Sequence, residues 1–379
     1  MMMRINLQQK AIWFWRTVIL LVLLVCSVGV QSVSAACKLY VEGGGTPSVV
    51  SNELMNATIS VPADVPVGTI LYKGAKQDYQ LNIGVMCDHD QREQFYMKHW
   101  VDGALGDTGY KAGSGTFSHI PGNGTIYKTN IPGIGIVFDR TEDKDIVTIC
   151  GIVPNCFING FSRPHDFYLV KTGNVTPGIL NGSQLPVYHR SLGPKQQMLE
   201  IWTRRLSGQV IITAPTCQTP DVRVEMDKWS VSHFTGKGAT TAWKDASITM
   251  NNCGQFYGYS AGHNHSFSGG ISHTGPAVKN TWELNLAPQN GALDAAKGIM
   301  AISPDAEASA TGIGIQLGFG STTSAESNLV NFTVNKSESI DTSGVSTIKI
   351  PLAARYIQTE DKVTAGRADG KLTFTITYK

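Results

Sequence analysis

Charge is what this chain has least of: only 16% of its 379 residues are Asp, Glu, Lys or Arg. Long solvated helices need more charge than that, whereas 40 glycines suit a β architecture rich in loops. Metal-site signatures are missing too. There is no H-E-x-x-H helix and no C-x-x-C pair, which removes the usual zinc protease and thiolate metal motifs. No glycine cluster stands between a buried strand and a helix, so phosphate cradles are excluded. The first thirty-five residues contain Arg4, Lys10 and Arg16 but no acid.

What those first residues do contain is an apolar run from Val18 to Val25, followed by Val33-Ser34-Ala35 with small residues at a cleavage position. Residues 1–35 therefore read as a secretory signal peptide. The run is short for a retained membrane anchor, and Ser34 stands where a lipoprotein signal before Cys37 needs a bulky aliphatic residue. Removing the three leader bases from 31 leaves 28 against 29 acidic residues, so the exported chain has no electrostatic reason to bind nucleic acid. Six cysteines then remain: Cys37, Cys87, Cys150, Cys156, Cys217 and Cys253. An even number in an exported chain argues for disulfides, with fifteen formal connectivities. Sequential pairing, Cys37–Cys87, Cys150–Cys156 and Cys217–Cys253, is the expectation. It sets two bridges before residue 160 and one beyond 216, as a two-domain division would.

Along the chain, short alternating segments lie between turns. Residues 56–61, 69–72, 79–86, 126–128 and 134–138 read as strands of the first half. Residues 197–206 fit a helical face or a strand, and a strand is expected. Pro215 interrupts a strand-like run just before Cys217, which places a boundary there: 36–213 and 214–379. The second half offers strands at 246–250, 281–286, 312–317, 329–334 and 347–352. The last fourteen residues alternate most strictly. Leu372, Phe374, Ile376 and Tyr378 interleave with Thr373, Thr375 and Thr377, giving one apolar and one hydroxylated face. A strand of that kind at the end of a chain needs a partner on its edge.

That ending resembles the C-terminal signature of subunits of chaperone–usher fimbriae: a Gly at position 366, alternating apolar residues, and a penultimate Tyr378. Residues 352–359 and 363–366, and the Cys217–Cys253 separation, also look like the pilin family. The resemblance implies an incomplete immunoglobulin-like pilin domain whose groove, at Leu372, Phe374, Ile376 and Tyr378, is filled by a strand from a periplasmic chaperone and then from the next subunit. An outer-membrane usher is implied with it. The N-terminal half is similar to the type 1 fimbrial tip adhesin through Ala36-Cys37, Cys87-Asp88-His89-Asp90 and Trp202. Cys150 and Cys156 depart from that pattern. No donor segment precedes Cys37 after cleavage, so the expected place is the fibre tip at the cell surface.

The expected fold is all-β, with two β-sandwich domains, lectin-like and then pilin-like. The resemblance puts a sugar site at Ala36, Asp88, His89, Asp90, His189, Ser191 and Gln196. Gln196 stands where the family carries an acid, so the sugar specificity differs. As turn residues, Asp88 and Asp90 also have a purely structural reading. Exposed Trp100, Tyr110 and Tyr127 are a second place for a sugar to stack. Two histidine groups, His263, His265 and His273 and the looser His89, His99 and His119, suggest a metal, but no metal or other cofactor is expected. Asp88, Asp90 and Glu93 could mimic a glycosidase pair. A tip adaptor without ligand and a secreted carbohydrate-active enzyme are thus the alternatives to a non-enzymatic adhesin.

Overall fold

The structure is a computed structural model and describes residues 37–379, apart from 42–48, 55, 75–82, 88–94, 104, 123, 140–155, 160–166, 196, 260–266, 269–270, 273–277 and 305–307. Among the described residues there are strands and short 3-10 turns but no α-helix. The chain is all-β. No helix of the described residues is long and apolar enough to cross a membrane.

Two large hydrophobic cores organise the strands, with a smaller cluster of Phe117, Ile126, Val137 and Tyr168 beside the first. The first is built by residues between Cys37 and Ile212, including Leu71, Tyr72, Phe138, Phe167, Tyr188 and Ile201. Four sheets surround it. One runs Ile70–Gly74, Phe167–Lys171, Ile134–Phe138, Thr125–Lys128, Asp107–Lys111 in spatial order. Another runs Val49–Glu53, Leu199–Ser207, Val187–Pro194, Phe95–Asp102. Of the residues expected at 197–206, those from Leu199 onward do form a strand, Leu199–Ser207. Their partner Val187–Pro194 sits between two neighbours, which a strand can satisfy with its backbone and a helix cannot.

The second core joins Trp282, Leu284 and Leu286 of Thr281–Pro288 to Ile313, Ile315 and Leu317 and to Leu352, Ala354 and Tyr356. These come from two sheets, Lys336–Ser339/Thr281–Pro288/Leu372–Tyr378 and Lys244–Asp245/Leu352–Gln358/Ile313–Phe319/Ile299–Ala301/Ala292–Asp294, so the core is the filling of a sandwich. The strand expected at 329–334 is absent. Asn331 Oδ1 accepts from the backbone N–H of Thr333 at 3.0 Å and from its hydroxyl at 2.7 Å, and this local turn outcompetes pairing. Val334 is left 65% exposed.

Cys217 and Cys253 are bridged. Cys37 is also disulfide-bonded, and it stands directly opposite Cys87 in the register of Cys37–Val41 against Ile83–Cys87, with Cys156 on the far side of Cys87. Cys150 lies outside the described residues.

Candidate functional site

The terminal strand Leu372–Tyr378 pairs antiparallel with Thr281–Pro288 on one side only. The register decides which backbone groups that pairing uses. Thr281 and Lys379 exchange both hydrogen bonds, at 2.7 and 2.8 Å, and Gln289 N–H reaches Lys371 O at 2.9 Å. Odd-numbered residues therefore face the neighbour, and the N–H and C=O groups of Leu372, Phe374 and Ile376 point to the opposite edge. Among the described residues no backbone hydrogen bond reaches that edge.

Beside it lies a cleft of about 520 Å³, whose far wall is the segment carrying Cys217, Thr219 and Asp221. Gln218 spends its backbone N–H and C=O on Asn251, at 2.8 Å each. By the same alternation its neighbours Cys217 and Thr219 turn their backbones toward the cleft. Leu372, Phe374 and Ile376 are only partly buried, while Tyr378 is buried. Burial raises the Tyr378 phenol above its ordinary pKa, and its hydroxyl reaches Met250 Sδ at 3.3 Å, the Thr219 side chain and the Cys217 backbone. All four residues expected at a groove thus line one cleft of mixed polarity with an unpaired strand edge, and nearby Gly366 packs on the 308–310 backbone. A Cβ there would sit 2.3 Å from the backbone N of Ala310.

The ligand residues expected in the first sandwich are placed differently. Ala36, Asp88, His89, Asp90 and Gln196 lie outside the described residues, as do Glu93, His263, His265 and His273. His189 and Ser191 share the Val187–Pro194 strand and are both buried, at 8% and 3% exposure. His189 supports its surroundings. Its ring stacks on Trp100 at 4.8 Å between centroids, with the planes 4° apart. Its Nε2 is 3.0 Å from Asp102 Oδ2 and its Nδ1 3.3 Å from Glu200 Oε1 and from Thr203 Oγ1. The register explains the cluster, since Trp100, His189 and Thr203 stand opposite one another on three adjacent strands. Trp100 itself is 41% exposed, and Tyr110 is exposed with its ring on Phe117. Tyr127 is half-buried and packs against the first core, with burial raising its phenol pKa. His119 Nε2 binds Gly68 O at 3.0 Å, and no group of three metal-ligating side chains occurs among the described residues.

One anchor escaped the sequence reading. The side-chain amide of Gln197, one residue after Gln196, accepts from Cys37 N–H at 2.9 Å and donates to Cys37 O at 3.1 Å. A lone glutamine in a loop gives no sequence signal for a contact 160 positions away.

These features define a class: a β protein with two large packed cores whose final strand keeps one edge open beside a cleft. Residues 204–379 match the model of the fimbrial protein family. No curated protein matches the sequence. Among solved structures, the chain aligns with the CupB6 tip adhesin from Pseudomonas aeruginosa at 14% identity, over 90% of this chain and 93% of that one, with a TM-score of 0.33. It also aligns with the receptor binding domain of the plasmid-born adhesin MrkD1P of Klebsiella pneumoniae at 17% identity, over 48% of this chain and 99% of that one, with a TM-score of 0.26.

Proposed function

We propose that this protein is a fimbrial tip adhesin, with a receptor-binding domain at 36–213 and a pilin domain at 214–379 that accepts a strand from another polypeptide. The observation that carries the reading is the unpaired edge of Leu372, Phe374 and Ile376, whose apolar side chains line a cleft within the part of the chain that matches the fimbrial family model. An added strand recovers backbone hydrogen bonds on both walls, and its alternate side chains fill the cleft. The strand donors are a periplasmic chaperone during export and then, at an outer-membrane usher, the next subunit in the fibre.

The receptor is a host or surface glycan. Trp100 supports this class: a rigid, solvent-facing indole backed by His189 and flanked by the Asp102 and Glu200 carboxylates suits a sugar face and its hydroxyls. The loop residues Ala36, Asp88, His89, Asp90 and Gln196 are proposed to extend the site. The role is binding without turnover. A glycan array probed with the exported protein, alongside a hydrolysis assay on each bound glycan, tests the reading. Retention of specific glycans without cleavage is expected. Cleavage would favour a carbohydrate-active enzyme, and an empty array would favour an adaptor subunit.

A further inference from the structure

The cleft is closed at one end, and part of the closure comes from the other sandwich. Tyr378 is the fourth residue of the terminal strand whose backbone faces the open edge, by the alternation fixed at the Thr281–Lys379 pair. Unlike the N–H groups of Leu372, Phe374 and Ile376, its N–H is taken: Asp64 Oδ2 accepts it at 3.0 Å. Asp64 belongs to the turn after the Ala57–Ser60 strand, 314 positions away.

The same end is blocked across the cleft. The Tyr378 hydroxyl bonds the Cys217 backbone and the Thr219 side chain, so phenol and far wall meet below the edge. Neighbouring contacts hold the Asp64 turn in place. Ser60 N–H donates to Gly258 O at 2.8 Å, Tyr257 N–H to Ser60 Oγ at 2.8 Å, and the fully buried Asn280 amide to both Ser60 O and Lys379 O at 3.3 Å. On the other flank Lys171 Nζ donates to Ala63 O at 2.7 Å. The carboxylate is therefore pinned from both sides of its turn.

We propose that Asp64 is a register stop for the incoming strand. It occupies the last edge position, so a strand added to this domain engages Leu372, Phe374 and Ile376 and ends before Tyr378. A pairing slipped by two residues toward Tyr378 keeps every apolar side chain on the cleft side, so side-chain alternation alone cannot reject it. It must, however, break the Asp64 bond and leave a carboxylate facing a backbone carbonyl edge. Register selection by the first sandwich follows, and the site requires the whole chain. The inference rests on the strand-accepting reading and specifies its geometry.

Amide hydrogen exchange on the full exported chain, with and without a synthetic peptide of alternating valine and threonine, tests it. In the free protein, Tyr378 N–H should exchange slowly, and those of Leu372, Phe374 and Ile376 fast. Peptide should protect these three and leave Tyr378 unchanged. Asp64→Ala should speed Tyr378 exchange to the level of Phe374 in the free protein. With peptide, all four should then become protected. Asp64→Asn, which keeps an acceptor oxygen, should behave as the native chain. Unchanged exchange in the Ile313–Phe319 strand would show that each variant is folded. Four amides protected by peptide in the native chain, or no change of register in Asp64→Ala, would overturn the stop alone. Protection of none in any variant would overturn the strand-accepting reading and the stop with it.

Discussion

At the scale of single residues, two positions show how little room the fold leaves. Gly366 touches the 308–310 backbone so closely that a methyl group would overlap Ala310 N and Ser309 C. Gly366→Ala must move one segment, and overpacking of this kind costs about 1–3 kcal/mol. A urea midpoint lowered by that amount checks it. Trp100 and His189 form the second case. Trp100→Ala removes an exposed ring and its stack on His189, a loss of roughly 0.5–1.5 kcal/mol, so the protein should stay folded while glycan retention falls. His189→Ala acts from beneath. It removes the buried imidazole beneath Trp100 and its bonds to the exposed Asp102 and Glu200 carboxylates, at about 0.5–1.5 kcal/mol for each hydrogen bond lost. Both melting and binding should then suffer. Equal loss of melting temperature in the two variants would contradict this division of labour.

At the scale of elements, the terminal strand is the informative one. Phe374 lines the cleft from an edge that has one partner, so Phe374→Asp places a charge where a strand must close over apolar surface. The unpaired charge costs several kcal/mol once the cleft is filled. Surface display should be lost, and subunit retained in the periplasm or degraded is the measurement. On the opposite sheet, Arg355 is stacked over Trp243 at 4.3 Å and paired with Glu326 and Gln316. The Arg355 hydrogen bond holds the Glu326 carboxyl below its usual pKa, as Lys379 does for Glu283. A depressed carboxylate stabilises the fold above its unfolded pKa, about 4.3, and that contribution disappears as pH falls through the lower folded value. The urea midpoint should hold from neutrality to about pH 5 and drop in more acidic solution. Glu326→Gln should shallow that drop. Glu326 is largely solvent-accessible and Glu283 partly so, which keeps each contribution small.

At the scale of the whole molecule, the two cores meet through a polar junction. Asn280 and Ser60 are both fully buried, and Asn280 bonds Gly258 N–H, Ser60 O and Lys379 O. Removing such a hub leaves several buried groups without partners. Asn280→Ala should make proteolysis at the 213–217 connection faster than unfolding of either core, read as two stable fragments on a gel. A single cooperative loss of all structure would show instead that the cores are one folding unit. Loss of the Cys217–Cys253 bridge belongs to the same scale. Done selectively, by Cys217→Ala with Cys253→Ala so that the Cys37 bridge stays intact, it should cost about 2–5 kcal/mol in the C-terminal core, while the first core melts unchanged.

Much of this was legible in the chain. Alternation of Leu372, Phe374, Ile376 and Tyr378 with threonines fixes a strand with one apolar face, because side chains in a strand point alternately to its two faces and the pattern is local. Gly and short apolar runs fix an all-β class for the same reason, and the Cys217–Cys253 spacing was readable beside them. Where locality fails, the sequence is silent. The turn at Asn331 depends on one side-chain oxygen winning against ladder pairing, a balance of about a kilocalorie. The burial of His189 follows from three strands aligned in register, and the Gln197–Cys37 and Asp64–Tyr378 bonds join residues 160 and 314 positions apart. No periodic signal carries such contacts. The sequence by itself determined the all-β class, most of the strands and the apolar face of the last one. Only the tertiary structure decided which edge stayed unpaired and which distant carboxylate closed it, because chain folding, not local preference, sets the distance between remote residues.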